Sequence, residues 1–138
     1  MTEQSDKPLQ ERWTAARFER ALRGMELELE AAKAEDGEVI GFDVGGRDWS
    51  AYFLGGEGGK VDSVWLQAKI SDAATTEDVE QCNGEVRFLR VVRLQRTAEA
   101  WMDIWLAGLT EEGLVPNIQI WQLHLKKARA FFLNKPIS

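Results

Sequence analysis

One cysteine, one histidine and one tyrosine are spread through 138 residues, and only three prolines interrupt them. Alone, Cys82 excludes an intramolecular disulfide and suits a reducing cytoplasm. No apolar run approaches the roughly 20 residues of a membrane span. The opening M-T-E-Q-S-D-K-P is polar and lacks an apolar signal-peptide core. Metal-ligand spacings, nucleophile motifs and phosphate loops are missing too. The glycine-rich run Gly55-Gly56-Glu57-Gly58-Gly59-Lys60 fails as a phosphate loop, because Leu54 stands at its first glycine position and Val61 at its Ser/Thr position. It reads as a turn. A net charge of −6 repels nucleic acid and anionic membrane, which leaves proteins as the expected partners.

What is present is material for a core. Hydrophobic residues make up 44% of the chain, with six Trp and six Phe, which argues against disorder. The expected organisation is a loose polar arm at residues 1–8 and one domain over 9–138. Residues 9–23 carry two sets at helical spacing, Leu9, Trp13 and Ala16, and Ala15, Phe18 and Leu22. They fall on different sides of the cylinder, so the buried face stays open. Gly24 is placed to end this helix. Met25 to Glu30 alternates and reads as a strand, although Phe18, Leu22, Met25 and Leu29 also line one helical face.

Strands are expected at Glu38–Val44, Trp49–Leu54 and Val61–Ile70, with the first two joined by the turn Gly45-Gly46-Arg47-Asp48. Thr75 or Thr76 is placed to cap a short helix through Cys82. Strands near Arg87–Gln95 and Ala100–Leu106 follow. Thr110 then caps a last helix, which begins or kinks at Pro116. Leu114, Ile118, Trp121, Leu125, Ala128 and Phe132 form one narrow stripe on it. The fold class is α+β, an antiparallel sheet with helices packed on it, in the order α-β-β-β-β-α-β-β-α.

That order, together with Asn83, Arg87-Phe88, Arg90, the strand Trp101 to Leu106, the Gly108-Leu109-Thr110 turn, Trp121 and Phe131-Phe132, resembles the YbjN-like bacterial sensory transduction regulators. The resemblance implies the fold of type III secretion chaperones, a non-enzymatic regulatory or chaperone-like role, and dimers. Gly84-Glu85 after Asn83, and the lack of an Asp-Gly turn after Arg90, depart from the family pattern.

Residues able to carry chemistry are few. His124 lies on the flank of the last helix, a partly exposed position, away from any nucleophile motif. Cys82 reads as a small half-buried hydrophobe. Arg87, Arg90, Arg93 and Arg96 would form a basic ridge on a helix, but on strands they point to opposite faces. No catalytic residue, metal ligand or cofactor is assigned.

Trp65, Trp101 and Trp105 fall on the sheet face opposite Val64, Leu66, Met102 and Ile104. Either a helix covers that face or the three tryptophans are a binding patch. Ile120, His124 and Phe131 make a second apolar stripe on the last helix and are the candidate homodimer interface. The expected function is protein binding, with no named partner; the alternative is a Trp-lined pocket for a small molecule or peptide.

Overall fold

Alternating apolar and polar side chains build a six-stranded antiparallel sheet, and the three helices among the described residues lie on its apolar face. The computed structural model describes residues 12–46, 48–55 and 60–134. The arm at 1–8, the expected helix start at Leu9, Arg47 and the 56–59 part of the second turn lie outside the described residues. The elements are β1 (Trp13–Thr14), α1 (Ala15–Arg23), β2 (Glu28–Lys33), β3 (Val39–Gly45), β4 (Trp49–Leu54) and β5 (Lys60–Val61). Then come β6 (Ser63–Ser71), α2 (Thr76–Glu85), β7 (Arg90–Leu94), β8 (Thr97–Trp105) and α3 (Glu111–Leu133). The sheet runs β2-β3-β4-β6-β8-β7, and β1 pairs with β5 in a separate two-stranded ladder. The chain is thus α+β, in the expected order of main elements.

The first helix is shorter than its periodicity suggested. Trp13 pairs with Val61 as strand, and Thr14 becomes the N-cap by accepting from the Arg17 amide. The Trp13 indole N–H donates to the Leu109 carbonyl at 2.8 Å, which draws the ring out of the helix and into the core. The α1 and α3 N-termini are tied by Arg17, whose guanidinium donates to both carboxylate oxygens of Glu111 at 2.6 and 2.9 Å. That pairing holds the Glu111 carboxyl down at about 2.

The segment after α1 is a strand, as the alternation indicated, but begins three residues late. Gly24 to Glu26 complete a turn, with Glu26 at a φ of 64°, before β2 starts at Glu28. The expected strand over Val61–Ile70 is split, because Val61 pairs with Trp13 while β6 joins β4 and β8. Thr75 closes a capping box with Asp78, and α2 runs past Cys82 to Glu85. Pro116 neither starts nor ends α3, which is capped by Thr110 and passes through the proline. The α3 stripe packs as expected: Leu114, Ile118, Trp121, Leu125 and Ala128 are buried and Phe132 half-buried.

Both sheet edges are blunted. On β7, the Asn83 amide of α2 accepts from the Val91 N–H at 2.7 Å and donates to the Val91 carbonyl at 2.8 Å. One side chain therefore occupies both main-chain groups that Val91 would offer a further strand. On β2, Arg23 donates to the Leu29 carbonyl at 3.3 Å, and the edge carries Glu28, Glu30 and Lys33. Asn83→Asp keeps the acceptor but sets an oxygen against the Val91 carbonyl. It should cost about 1–3 kcal/mol in urea unfolding; an unchanged midpoint would show that the clamp contributes nothing.

Candidate functional site: an open aromatic sheet face

Strand partners share a face, so the register maps the surface directly. One row, Glu30, Asp43, Ser50, Gln67, Trp101 and Arg90, crosses all six strands. The adjacent row is Gly41, Tyr52, Trp65 and Asp103. The three helices among the described residues lie on the opposite face. Phe18 of α1 stacks on Phe42 and meets Phe53 edge-on, while Trp121 of α3 meets Trp49. Arg93, which shares the face of Val91, reaches the Ala74 carbonyl and the Thr76 hydroxyl at the start of α2. Among the described residues, no helix covers Trp65, Trp101 or Trp105.

The rings form a connected path. Tyr52 and Trp65 have centroids 6.0 Å apart, and Trp65 meets Trp101 edge-on at 5.2 Å. Arg90 sits 5.8 Å over the Trp101 ring, whose indole N–H donates to Glu99. Mutual packing leaves Trp65 and Trp101 half-buried, whereas Trp105 is 66% exposed. Gly41 is required at the path's start, since a Cβ there would lie 2.2 Å from the Ala51 carbonyl oxygen and 2.9 Å from the Tyr52 ring.

At the other end Trp65, Phe88, Arg90, Trp101 and Asp103 line a groove of about 310 Å³. Phe88 belongs to the loop between α2 and β7, not to a strand as its neighbours' alternation suggested. Its φ of 72° is left-handed, a costly conformation for a bulky side chain, and it leaves the ring 63% exposed. Val86 and Leu89 on either side of Arg87-Phe88 are buried, and anchoring both turns Phe88 outward.

The same loop changes the reading of His124, which is buried rather than partly exposed. Phe88 covers its ring edge-on at 5.1 Å, and Nδ1 accepts from the Arg87 amide at 3.4 Å. Burial, then the charges of Lys127 and Arg87, push the imidazole below its ordinary pKa. Acceptance at Nδ1 places the neutral ring's proton on Nε2. Ile120 and Phe131, expected beside it, are half-buried; Leu123 between them on the helix is 52% exposed.

Cys82 is fully buried, and burial with the nearby Glu85 charge pushes its thiol up to about 11. The four arginines form no ridge: Arg90 stands on the open face, Arg93 points to α2, and Arg87 and Arg96 lie outside the strands. Among the described residues, no three His, Cys, Asp or Glu side chains converge as metal ligands. No helix among them is long and apolar enough to cross a membrane. No protein-family model matches the chain, and no curated protein is similar to it.

Phe88→Gly tests whether the ring serves the fold. Releasing the left-handed strain returns about 1–2 kcal/mol, against about 0.5–1.5 kcal/mol lost with the His124 contact. Urea unfolding should therefore show a stability equal to wild type or slightly higher. A loss above about 1 kcal/mol would make Phe88 a structural clamp.

Proposed function

We propose that this chain is a non-enzymatic regulatory or chaperone-like protein of the YbjN-like type. It works in a bacterial cytoplasm as a homodimer and holds a segment of another protein on its open sheet face. The carrying observation is Phe88, strained and exposed at the rim of a groove that also holds Trp65 and Trp101. A bulky ring kept in that state points to use rather than to packing. The face carries Glu28, Glu30, Asp43, Glu99 and Asp103 against Lys69 and Arg90, so its complement is a positively charged segment with apolar side chains. Rings laid along a sheet suit an extended segment better than a compact small molecule. Neither nucleic acid nor membrane is a partner in this reading.

Affinity capture from native lysate tests it when wild type is compared with the Phe88→Gly, Trp105→Ala double variant. Proteins held by wild type at low salt should be lost from the variant and released as salt rises. The same proteins on both baits would remove the aromatic face from the function.

The dimer uses α3, around Ile120, Phe131 and the more exposed Leu123. Light scattering at micromolar concentration should give twice the 15.6 kDa chain mass. Leu123→Glu should return the monomer. A monomer at every wild-type concentration defeats the dimer, and a dimeric Leu123→Glu defeats this interface.

A further inference from the structure

The sheet has a step in one border. β7 pairs with β8 from Leu94 opposite Thr97 to Arg90 opposite Trp101 and stops there. β8 runs on to Trp105 and keeps its pairing with β6 over that length. Its last residues, Met102 to Trp105, therefore have a strand on one side only among the described residues.

Which main-chain groups are left over follows from the Asn83 clamp. Val91 gives its N–H and C=O to Asn83, so it turns away from β8, and its pairing with Ala100 carries no ladder hydrogen bond. Arg90 and Trp101 next to it then turn toward each other, and along β8 the odd-numbered residues turn to the β7 side. Even-numbered residues turn to β6, as the Leu106 N–H does in donating to the Asp62 carbonyl at 2.9 Å. The N–H and C=O groups of Asp103 and Trp105 thus point into the step. Among the described residues, no strand or loop main chain bonds them.

The place where β7 would continue is open. By register Phe88 would stand opposite Asp103, but pairing ends at Arg90, and Phe88 is left-handed. The groove lined by Phe88, Leu89 and Arg90 on one side and by Met102 and Asp103 on the other lies there. An incoming residue opposite Asp103 or Trp105 would share the open face with those side chains. One opposite Ile104, which is buried, would point to the helix side.

We propose that the step takes three residues of an extended segment of another protein, added antiparallel to β8 in line with β7. An aromatic residue stands opposite Trp105, an aliphatic one opposite Ile104, and a Lys or Arg opposite Asp103. Cross-strand aromatic and opposite-charge pairs favour the outer two. The exposed Asp103 carboxylate, with Glu99 on the same face of β8, sets the sign of the charge. A second copy of β8 would bring its own Asp103 instead of a cation. The inference rests on the open-face reading above and adds a main-chain contact to it. Two paired residues are too few to hold a chain by backbone alone, so the side chains around the step decide what enters.

The probe is the peptide acetyl-Ser-Tyr-Val-Lys-Ser-amide, titrated into the ¹⁵N-labelled full chain. It should slow amide exchange at Asp103 and Trp105 saturably and leave Val91 unchanged. N-methylation at its lysine blocks an amide aimed at β8 and should weaken binding about tenfold or more. N-methylation at its valine, whose amide points away, should leave binding unchanged. Glutamate in place of the lysine should weaken it as well. Equal binding by the two N-methylated peptides, with the Trp65 and Trp101 indole signals still moving, overturns strand pairing and leaves the open-face reading in place. Unslowed exchange at Asp103 and Trp105, or undiminished binding of the glutamate peptide, overturns the proposal outright. So does protection of those amides that grows with protein concentration in the absence of peptide, since a second copy would then fill the step.

Discussion

The edge of Trp121 against Trp49, ring centroids 5.9 Å apart, seats the middle of α3 on β4. Both rings are buried, and large aromatic burial of this kind dominates core energetics in a domain of this size. With α3 fixed there, Leu114 and Ile118 before it and Leu125 and Ala128 after it fall onto β6 and β8. The start of α3 then meets Trp13 and Arg17, which bring in β1 and α1. The helices among the described residues thereby land on one side of the sheet. The other side is a consequence of that crowding, an antiparallel surface whose outward residues are free to be something other than core.

What occupies those positions divides the molecule electrically. Carboxylates surround the tryptophan path, while the pocket between the end of α3 and the β3–β4 turn has, among the described residues, Lys126 and Arg129 against Asp48. A chain of net charge −6 that keeps a locally positive pocket does so against its own long-range field.

Strands with one wet face were the most legible part of the sequence. The bounds of β4 and the two faces of β6 follow from alternation, and the α3 stripe and its Thr110 cap from helical spacing and capping chemistry. Helix starts were less so, because Trp13 satisfies a helical period yet is claimed by a tertiary hydrogen bond to Leu109. The β2 start shifted for a local reason: Leu27 packs into the core from the turn, which delays pairing until Glu28. The loop at 86–89 was the least legible. Its residues keep strand-like chemistry, and only the anchoring of Val86 and Leu89 forces Phe88 outward and His124 under cover. The tryptophan face could be located from sequence, but whether a helix lay over it depended on where all three helices packed.

The Asn83 clamp has a consequence for how this molecule can be read by others. A sheet with a free edge accepts almost any extended chain, since main-chain pairing is blind to side-chain identity. Here one amide occupies the Val91 main-chain groups on the β7 border, and the other border carries charge. Pairing at Val91 is closed to another strand, and the outward side chains are what this side of the sheet offers instead. A surface of side chains reads residue chemistry, whereas a free edge reads only backbone, and the clamp tilts this sheet toward the first.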